Sequence, residues 1–374
     1  MRVLIAGGGT GGHFYPAFAV MEELRGHAGT ELAYVGTRRG IEVRLLPSYE
    51  WVRFFPTCVC GLERGRPWQN VRALFVLLWA LVEAATILLR FRPHVVIGMG
   101  GYASFPAVWL SSLLGRVAGI RTVIHEQNAV VGLANRILSR SADAVLLSYP
   151  GSRGCIPHAK RVVVTGNPIR RQFLGARRST DLYRRFGLDP TRRTALVFGG
   201  SQGSRALTDA VLCAKREIGK MRGLQVLLVI GRAGDEEDVR AELAAAGVWN
   251  IGTTSYIERM GDAFALADLV VCRAGATTLA EVTSCGKAAL VIPWEQAADG
   301  HQRRNAAYLQ QQEACVIADE AVIAERGLGD LIGTMLTDTE RLNRMARNSA
   351  HLGKRYAASR ILGEIHALTG EART

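Results

Sequence analysis

Short, continuous apolar runs alternate along the chain with longer segments of helical spacing. Each run ends in, or leads directly into, glycine, a polar residue or proline. The runs are residues 3–6, 33–36, 95–98, 122–125, 144–148 and 162–166 in the first half, and 195–198, 226–231, 269–272 and 289–293 in the second. Strands that are apolar throughout, rather than at alternate positions, are typical of parallel sheets covered by helices on both faces. The pattern predicts an α/β fold with two doubly wound, Rossmann-like domains.

The boundary between these domains is expected at Gly166-Asn167-Pro168, where glycine and proline interrupt both patterns. We therefore predict an N-terminal domain over residues 1–168 and a C-terminal domain over 169–350. Open α/β sheets bind ligands at the carboxyl ends of their strands. With two such domains, the sequence predicts a site in a cleft between them.

The positive charge of the chain is concentrated in its first half. The 374 residues include 46 Lys and Arg against 33 Asp and Glu, which gives a net charge of +13. Residues 1–172 contain 20 basic and 9 acidic residues, so residues 173–374 contain the remaining 26 basic and 24 acidic residues. Such a field attracts nucleic acid, a membrane surface or a phosphorylated substrate, and charge alone does not choose among them. A hydrophobic fraction of 48% excludes disordered and collagen-like classes. Seven cysteines without C-x-x-C spacing indicate reduced thiols in a cytoplasmic protein.

A glycine-rich loop, residues 7–13, joins the first apolar run to a helical stretch. Backbone N–H groups at such a junction can bind an oxyanion. Gly7, Gly9 and Gly12 also fit the G-x-G-x-x-G pattern of dinucleotide-binding proteins. An NAD site needs an acidic residue after the second strand, where this chain has Arg38-Arg39. NAD is therefore disfavoured, and NADP stays open.

Three further junctions carry candidate chemistry. Residues 199–204 form a second glycine loop, which is either a phosphate site or a structural turn. Residues 272–281 bring small and hydroxyl residues to a helix start, with Glu281 placed either to accept a sugar diol or to lie in solvent. Residues 299–306 offer His and Gln side chains, which either bond sugar hydroxyls or cap the next helix.

Six motifs in order along the chain together resemble the MurG family of N-acetylglucosaminyltransferases, which convert lipid I to lipid II in peptidoglycan synthesis. They are Gly-Gly-Thr-Gly-Gly-His at 8–13, Gly-Gly-Tyr at 100–102, His-Glu-Gln-Asn at 125–128, Gly-Asn-Pro-Ile-Arg at 166–170, Gly-Gly-Ser-Gln-Gly at 199–203 and Cys-Arg-Ala-Gly-Ala-Thr-Thr-Leu-Ala-Glu at 272–281. The resemblance implies the GT-B architecture and a C-terminal helix within 351–374 that returns to the first domain.

The resemblance also implies roles for individual residues. Thr10, Gly11 and Gly12 would contact the donor sugar, and Asn128 would be a sugar-binding asparagine. Arg170 and Ser201 would contact the donor phosphates. Ile257 would hold the uracil by its main chain, and Gln302 would read sugar hydroxyls. The helix start would face the phosphates and ribose through Ala276, Thr277, Thr278, Leu279 and Ala280, with Glu281 on the ribose hydroxyls.

The implied reaction is attack of the MurNAc C4 hydroxyl of lipid I on the anomeric carbon of UDP-GlcNAc, with inversion. It needs a base, and His13 at a helix N-terminus is our candidate; the alternative is that His13 caps the loop or binds an acceptor phosphate. His125 and Glu126 are reserve candidates. The sequence contains no Asp-x-Asp, so we expect neither a metal nor a cofactor.

An apolar stretch over residues 73–89 is somewhat short for a membrane span. One stripe of this helix, formed by Leu74, Leu77, Leu78, Leu81, Ala85 and Leu88, is predicted to pack inward. A second strip, formed by Phe75, Trp79 and Val82 with Arg72 and Arg90 at the ends, is predicted to touch an anionic membrane. The alternative is a helix wholly buried in the domain.

We therefore expect a peripheral enzyme on the cytoplasmic face of the plasma membrane, with UDP-GlcNAc, lipid I and the membrane surface as partners and without nucleic acid. The alternatives are a diacylglycerol glycosyltransferase, a UDP-GlcNAc 2-epimerase, which needs no acceptor, and a non-enzymatic sugar-nucleotide sensor.

Overall fold

The computed structural model describes residues 1–61, 67–200, 202–232, 234–297 and 300–370, with the side chains of 67–72 and 116 left out. The chain divides into two compact units. The first consists of Met1–Arg170 and Tyr356–Thr374, and the second of Arg171–Arg355. The sequence-based boundaries fall after residues 168 and 350, near these divisions.

The first unit contains a parallel sheet with helices on both faces. Its strands are β1 (Arg2–Ala6), β2 (Glu31–Thr37), β3 (Val52–Thr57), β4 (Val95–Gly98), β5 (Arg121–Glu126), β6 (Ala144–Leu147) and β7 (Val162–Val164), in the spatial order β3-β2-β1-β4-β5-β6-β7. Its helices up to residue 170 include α1 (Gly11–Arg25), α2 (Ile41–Leu45), α3 (Pro67–Phe91), α4 (Phe105–Ala118) and α5 (Leu133–Leu138). The strand order reverses between β1 and β4, which is where ligands bind in doubly wound sheets.

The second unit repeats this scheme. Its strands are β8 (Arg193–Phe198), β9 (Leu224–Val229), β10 (Ile251–Thr254), β11 (Leu269–Cys272), β12 (Ala288–Val291) and β13 (Cys315–Ile317), in the parallel order β10-β9-β8-β11-β12-β13. Its helices include α6 (Gln172–Gly175), α7 (Thr180–Arg185), α8 (Arg205–Cys213), α9 (Lys215–Lys220), α10 (Glu236–Ala245), α11 (Met260–Leu266), α12 (Ala276–Ser284), α13 (His301–Gln311), α14 (Glu320–Arg326), α15 (Leu328–Thr337) and α16 (Thr339–Leu352). Here the order reverses between β8 and β11. The prediction of two doubly wound parallel sheets is confirmed.

The last helix of the chain, α17 (Ala357–Thr369), belongs to the first unit. It packs beside α1, where the Ser359 hydroxyl donates a 2.6 Å hydrogen bond to the Glu23 carboxylate. Its apolar face, including Ile361 and Ile365, joins the core that covers Val3 on β1. The final helix therefore completes one face of the first sheet.

Helix α3 presents a different face to the protein from the one the sequence predicts. Its buried residues are Ala73, Ala80, Ala84, Ile87, Leu88 and Phe91. Of the stripe predicted to pack inward, Leu88 is buried and Leu77, Leu81 and Ala85 are half-buried, whereas Leu74 and Leu78 are 55% and 53% exposed. The prediction was therefore wrong for Leu74 and Leu78, and three of the six buried residues are small alanines. The side chains of Phe75, Trp79 and Val82 are 68%, 59% and 59% exposed.

Candidate active site

The glycine loop after β1 is shaped by a buried carboxylate from the start of α2. Glu42 accepts hydrogen bonds from the Gly9 N–H, with 3.1 and 3.3 Å to its two oxygens, and from both the N–H and the hydroxyl of Thr37 at the end of β2, at 2.7 and 2.8 Å. The Gly9 N–H is therefore already hydrogen-bonded to a carboxylate of the protein itself. An oxyanion at this loop would therefore need N–H groups other than that of Gly9.

His13 lies in the first turn of α1, half-buried against the loop that follows β4. A Cβ atom on Gly100 would come within 3.1 Å of its Nδ1, and one on Gly101 within 3.2 Å of its Cδ2. Both glycines have positive φ, 82° and 75°. The Gly-Gly-Tyr motif thus leaves room for the imidazole ring, a relationship that the separate motifs did not reveal.

Gln127, which follows β5, contacts His13 from another side. Its Oε1 lies 3.0 Å from Nδ1 of His13, and its Nε2 donates to the Met99 carbonyl at 2.9 Å. The same Nε2 lies 3.0 Å from Nδ1 of His125. Sequence reasoning quoted Gln127 within a motif without giving it a role, because its partners come from other strands.

The side chains of the reserve candidates His125 and Glu126 form hydrogen bonds with groups of the protein itself. His125 is buried and its Nε2 lies 2.9 Å from the Gly166 carbonyl oxygen. Burial, with a smaller effect of the His13 charge, lowers the pKa of His125 to about 4, although the bond to Gly166 acts to raise it. The Glu126 carboxylate accepts from the N–H groups of Asn128 and Gly132, at 3.0 Å each, and from the Asn135 side chain at 2.9 Å. These contacts make Glu126 an organiser of the loop after β5.

Other predicted residues of the first unit lie around this loop system. Thr10 is the N-cap residue of α1, Gly11 is buried and Gly12 is exposed. The Asn128 side chain donates to Glu126 at 3.3 Å. The guanidinium carbon of Arg170 stands 4.1 Å from the ring centroid of Tyr15, two residues after His13. Tyr15 therefore links the Gly-Asn-Pro-Ile-Arg segment to the first turns of α1.

In the second unit, β11 runs into the N-terminus of α12, which holds the largest group of predicted residues. The first helical residues are Ala276, Thr277, Thr278, Leu279 and Ala280. Because the N-cap residue is Gly275, it offers no side-chain oxygen to the N–H groups of the first turn. Glu281 is only 5% exposed, so it is not the solvated helix glutamate of the alternative interpretation.

Arg273, between β11 and α12, ties together several segments around this helix start. Its side chain, 11% exposed, donates to the Ser204 hydroxyl at 3.3 Å and to the Ile292 and Pro293 carbonyls at 3.4 and 3.3 Å, and pairs with Glu320 at 3.3 Å. Sequence reasoning missed this residue. The signal was a lone arginine directly after a fully apolar strand, where a charge needs several partners.

The remaining predicted residues of this unit lie on neighbouring loops. Gln302, in the first turn of α13, accepts a hydrogen bond from the Trp294 N–H at 2.9 Å through Oε1. Asn305 donates to the Ala274 carbonyl at 3.2 Å and so joins α13 to the segment before α12. Ile257 is buried in the loop after β10. Ser201 lies outside the described residues.

The described residues also show what the chain offers for binding a metal ion and a membrane. No group of three or more His, Cys, Asp and Glu side chains in the described part of the chain is placed to hold a metal ion.

One helix of the described residues, Ala73–Phe91, is long and apolar enough to cross a membrane by length and composition alone, and 28% of its most apolar 18-residue segment is buried. Its acidic residue, Glu83, bonds to Arg38 at 2.7 Å and to the Cys58 N–H at 2.8 Å. These bonds connect α3 to the segments that follow β2 and β3.

Comparison with known proteins matches both units to one family. Residues 3–147 match the glycosyltransferase family 28 N-terminal domain and residues 194–361 its C-terminal domain. The chain is 38% identical to the UDP-N-acetylglucosamine--N-acetylmuramyl-(pentapeptide) pyrophosphoryl-undecaprenol N-acetylglucosamine transferase of Geotalea daltonii, over 98% of this chain and 97% of that protein. It is 39% identical to the protein of the same name from Chlorobaculum parvum, over 99% and 100%. The crystal structure of Acinetobacter baumannii MurG matches with a TM-score of 0.74 and 29% identity, over 98% and 99%.

The chain belongs to the MurG family. This confirms the family predicted from the six motifs, the GT-B fold class and the class of enzyme, a glycosyltransferase. The UDP-GlcNAc 2-epimerase of Neisseria meningitidis also matches, with a TM-score of 0.62 over 98% of this chain and all of that one (100%). At 15% identity, that likeness shows the fold alone.

Proposed function

We propose that this protein transfers GlcNAc from UDP-GlcNAc to the C4 hydroxyl of MurNAc in undecaprenyl-pyrophosphoryl-MurNAc-pentapeptide, converting lipid I to lipid II. The observation that carries the proposal is the 38–39% identity over nearly the whole chain to transferases of that name. Such identity covers both units, so it includes the segments that would bind donor and acceptor. The proposed residue roles follow from the motifs together with the contacts described above.

The second unit is the proposed donor site. The first turn of α12 would bind the diphosphate of UDP through its N–H groups, because the N-terminus of a helix favours negative charge. The buried carboxylate of Glu281 would accept hydrogen bonds from the ribose hydroxyls. Ile257 would bind the uracil through its main chain, and Gln302, whose Oε1 already accepts from Trp294, would donate from Nε2 to a sugar hydroxyl.

The remaining donor contacts are proposed from the motifs. Ser201 and Arg170 would bind the donor phosphates, and we propose that this is how the charge on the departing UDP is stabilised, without a metal ion or cofactor. Thr10, Gly11, Gly12 and Asn128 would contact the sugars. These assignments rest on the positions of the residues in the six motifs.

The proposed chemical step is a single displacement. The proton of the MurNAc C4 hydroxyl passes to Nε2 of His13, the hydroxyl oxygen bonds to C1 of GlcNAc, and the bond from C1 to the β-phosphate oxygen breaks. UDP leaves with that electron pair, and the configuration at C1 inverts. His13 is the proposed base because its Nδ1 already lies 3.0 Å from Gln127, which leaves Nε2 as the nitrogen for substrate.

The proposed site of action is the cytoplasmic face of the plasma membrane, where the protein would be peripheral. The exposed strip of Phe75, Trp79 and Val82 supports this, since an aqueous surface gives no stabilisation to three large apolar side chains. Arg90 at the end of α3 is exposed, as an arginine that meets anionic lipid should be. Arg72 would flank the other end, but its side chain lies outside the description.

The test is transfer of radiolabelled sugar from UDP-GlcNAc to a lipid I analogue, with UDP-Glc and UDP-GalNAc as competing donors. We expect a lipid-linked disaccharide whose formation requires the acceptor and survives a chelator. His13→Ala should lower kcat by about 100-fold or more, the usual contribution of a general base. His27→Ala, a change to another half-buried histidine of the first unit, is the matched control and should leave kcat within about twofold.

The alternatives give different products in the same assay. An epimerase would convert UDP-GlcNAc to its 2-epimer without acceptor, and a diacylglycerol glycosyltransferase would label diacylglycerol in place of lipid I. A sugar-nucleotide sensor would give no turnover. Any of these results would contradict the proposed function, and UDP release that depends strictly on lipid I would exclude all three.

A further inference from the structure

The imidazole of His13 has a hydrogen-bonding partner at its Nδ1 and glycine backbone packed against the ring. Gln127 Oε1 lies 3.0 Å from Nδ1, and the backbone of Gly100 and Gly101 lies against the ring. These contacts fix the orientation of the ring, but its ability to act as a base also depends on which nitrogen carries the proton. A neutral histidine can act as a base only through its unprotonated nitrogen.

Two backbone carbonyls set the direction of the hydrogen bonds around Gln127. The Met99 carbonyl, 2.9 Å from Gln127 Nε2, can only accept, so the NH₂ group of the Gln127 amide must face it. The opposite amide orientation would bring two oxygens together. The carbonyl oxygen of Gln127 therefore faces His13, and Nδ1 of His13 must be the donor in their 3.0 Å contact.

His125 supports the same orientation from the other side of Gln127. Its Nε2 lies 2.9 Å from the Gly166 carbonyl, which can only accept, so Nε2 carries a proton. Burial keeps the ring neutral by lowering its pKa to about 4, and its Nδ1 is therefore an acceptor. Nδ1 lies 3.0 Å from Gln127 Nε2, whose second N–H can supply this bond. The NH₂ group of the amide thus faces three acceptors, which are the Met99 carbonyl, Nδ1 of His125 and, at 3.3 Å, the His125 carbonyl.

We propose that Gln127, oriented by His125 and the Met99 carbonyl, is a positioning residue that places the proton of neutral His13 on Nδ1 and leaves Nε2 as the base. The inference rests on the proposed function, because it concerns the base of that reaction. Gln127 would not touch substrate. Its effect would pass through His13 and appear in kcat, while substrate binding would change little.

The first test is the nitrogen NMR spectrum of the wild-type protein labelled with ¹⁵N-histidine, near pH 8. The His13 signals are identified by their absence in His13→Ala. We expect a protonated Nδ1 and an unprotonated Nε2. A proton on Nε2 would overturn the inference, and this measurement requires neither a Gln127 variant nor any turnover.

The second test compares two buried glutamines. Gln127→Met keeps the side-chain length and removes both hydrogen-bonding groups. It should shift the His13 proton toward Nε2 and lower kcat at least about 10-fold, with KM within about threefold. Gln225→Met is the control: Gln225 is buried in the second unit, where it bonds to Asp189 and Thr194. It should leave the His13 spectrum unchanged and kcat within about twofold of wild type.

The two tests separate this inference from the proposed function. Absence of transfer by the wild type would contradict the function, while the wild-type spectrum would still decide the tautomer. Transfer with an unchanged spectrum and kcat in Gln127→Met would overturn the inference and leave the function standing. If the methionine variant does not fold, the wild-type spectrum decides alone.

Discussion

The carboxylate of Glu42 binds the backbone of Gly9, with its two oxygens 3.1 and 3.3 Å from the Gly9 nitrogen. Glycines surround this carboxylate: a Cβ on Gly8, Gly36 or Gly40 would come within 2.8 Å of a Glu42 side-chain atom. The first glycine loop is therefore folded around an internal anion. Within the loop, Gly8 and Gly9 make these contacts, and the loop leads into α1, where His13 lies in the first turn.

Glu42→Gln should destabilise the first unit, although the two side chains have nearly the same shape. The new NH₂ group would face N–H donors of Gly9 or Thr37, and an unsatisfied buried donor costs about 1–3 kcal/mol. We expect the free energy of unfolding, measured by urea titration, to fall by about 2 kcal/mol. The control Glu237→Gln changes an exposed glutamate of α10. Equal stability of the two variants would contradict this account of the loop.

His125 should make the protein less stable in mild acid. Its pKa is about 4 in the fold, against about 6.5 when unfolded. Between these pH values the unfolded chain binds the extra proton, so stability falls as the pH falls through this window, by about 3 kcal/mol in total. Above the window His125 contributes no pH dependence.

The measurement is the free energy of unfolding at several pH values for wild type and His125→Gln, whose side chain does not titrate. The difference between the two curves should change between pH 6.5 and pH 4 and be flat above, which isolates His125 from the carboxylates. His351→Gln, at an exposed histidine of α16, should reproduce the wild-type curve. A difference curve flat throughout would show that His125 is not held neutral.

Glu281 should accept hydrogen bonds from the ribose hydroxyls of the donor nucleotide. Wild type is expected to bind UDP about 10-fold more tightly than 2′,3′-dideoxy-UDP, since hydrogen bonds to a buried charged group contribute about 1.5–3 kcal/mol. In Glu281→Ala this preference should vanish, because UDP loses affinity while the dideoxy analogue does not. Calorimetry gives both constants, and Glu325→Ala, at an exposed glutamate of α14, is the control. A preserved preference in Glu281→Ala would remove Glu281 from the proposed site.

The exposed strip on α3 should be needed for membrane binding. Trp79→Glu places a charge in the centre of the strip and should abolish flotation with vesicles that contain anionic phospholipid. Trp249→Glu makes the same change at a tryptophan of the second unit that is 83% exposed, and should float like wild type. If both variants float equally, the strip is not the contact surface.

Much of the fold could be predicted because a strand buried on both faces must be apolar at every position. Ten of the strands, such as β1 and β11, appear in the sequence as continuous apolar runs. The strands that escaped notice, β3 (Val52–Thr57), β10 (Ile251–Thr254) and β13 (Cys315–Ile317), all lie at sheet edges. An edge strand is only partly covered, so it can contain polar residues, as in β3, where Arg53 is exposed, and in β10, which ends in two threonines. Strand β13 is apolar throughout but is only three residues long.

The candidate site was less predictable. Motif resemblance identified residues that follow strand ends, including His13 and Glu281, because those positions face ligands in any doubly wound sheet. It did not reveal which side chains hold them. Gln127 reaches His13 across 114 positions, and Arg273 reaches Glu320 across 47. Likewise, the periodicity of the sequence does not specify which face of α3 is buried, because that depends on the elements packed against the helix.

The amino-acid sequence by itself determined the two parallel sheets, the family and the strand ends where the chemistry would lie, since apolar runs and glycine junctions are local properties of the chain. Only the tertiary structure decided that Gln127 contacts the His13 imidazole, that Glu42 lies against the first glycine loop and that Leu74 and Leu78 of α3 are exposed. These are contacts between distant segments. Their geometry depends on how helices and strands pack, and no local pattern records it.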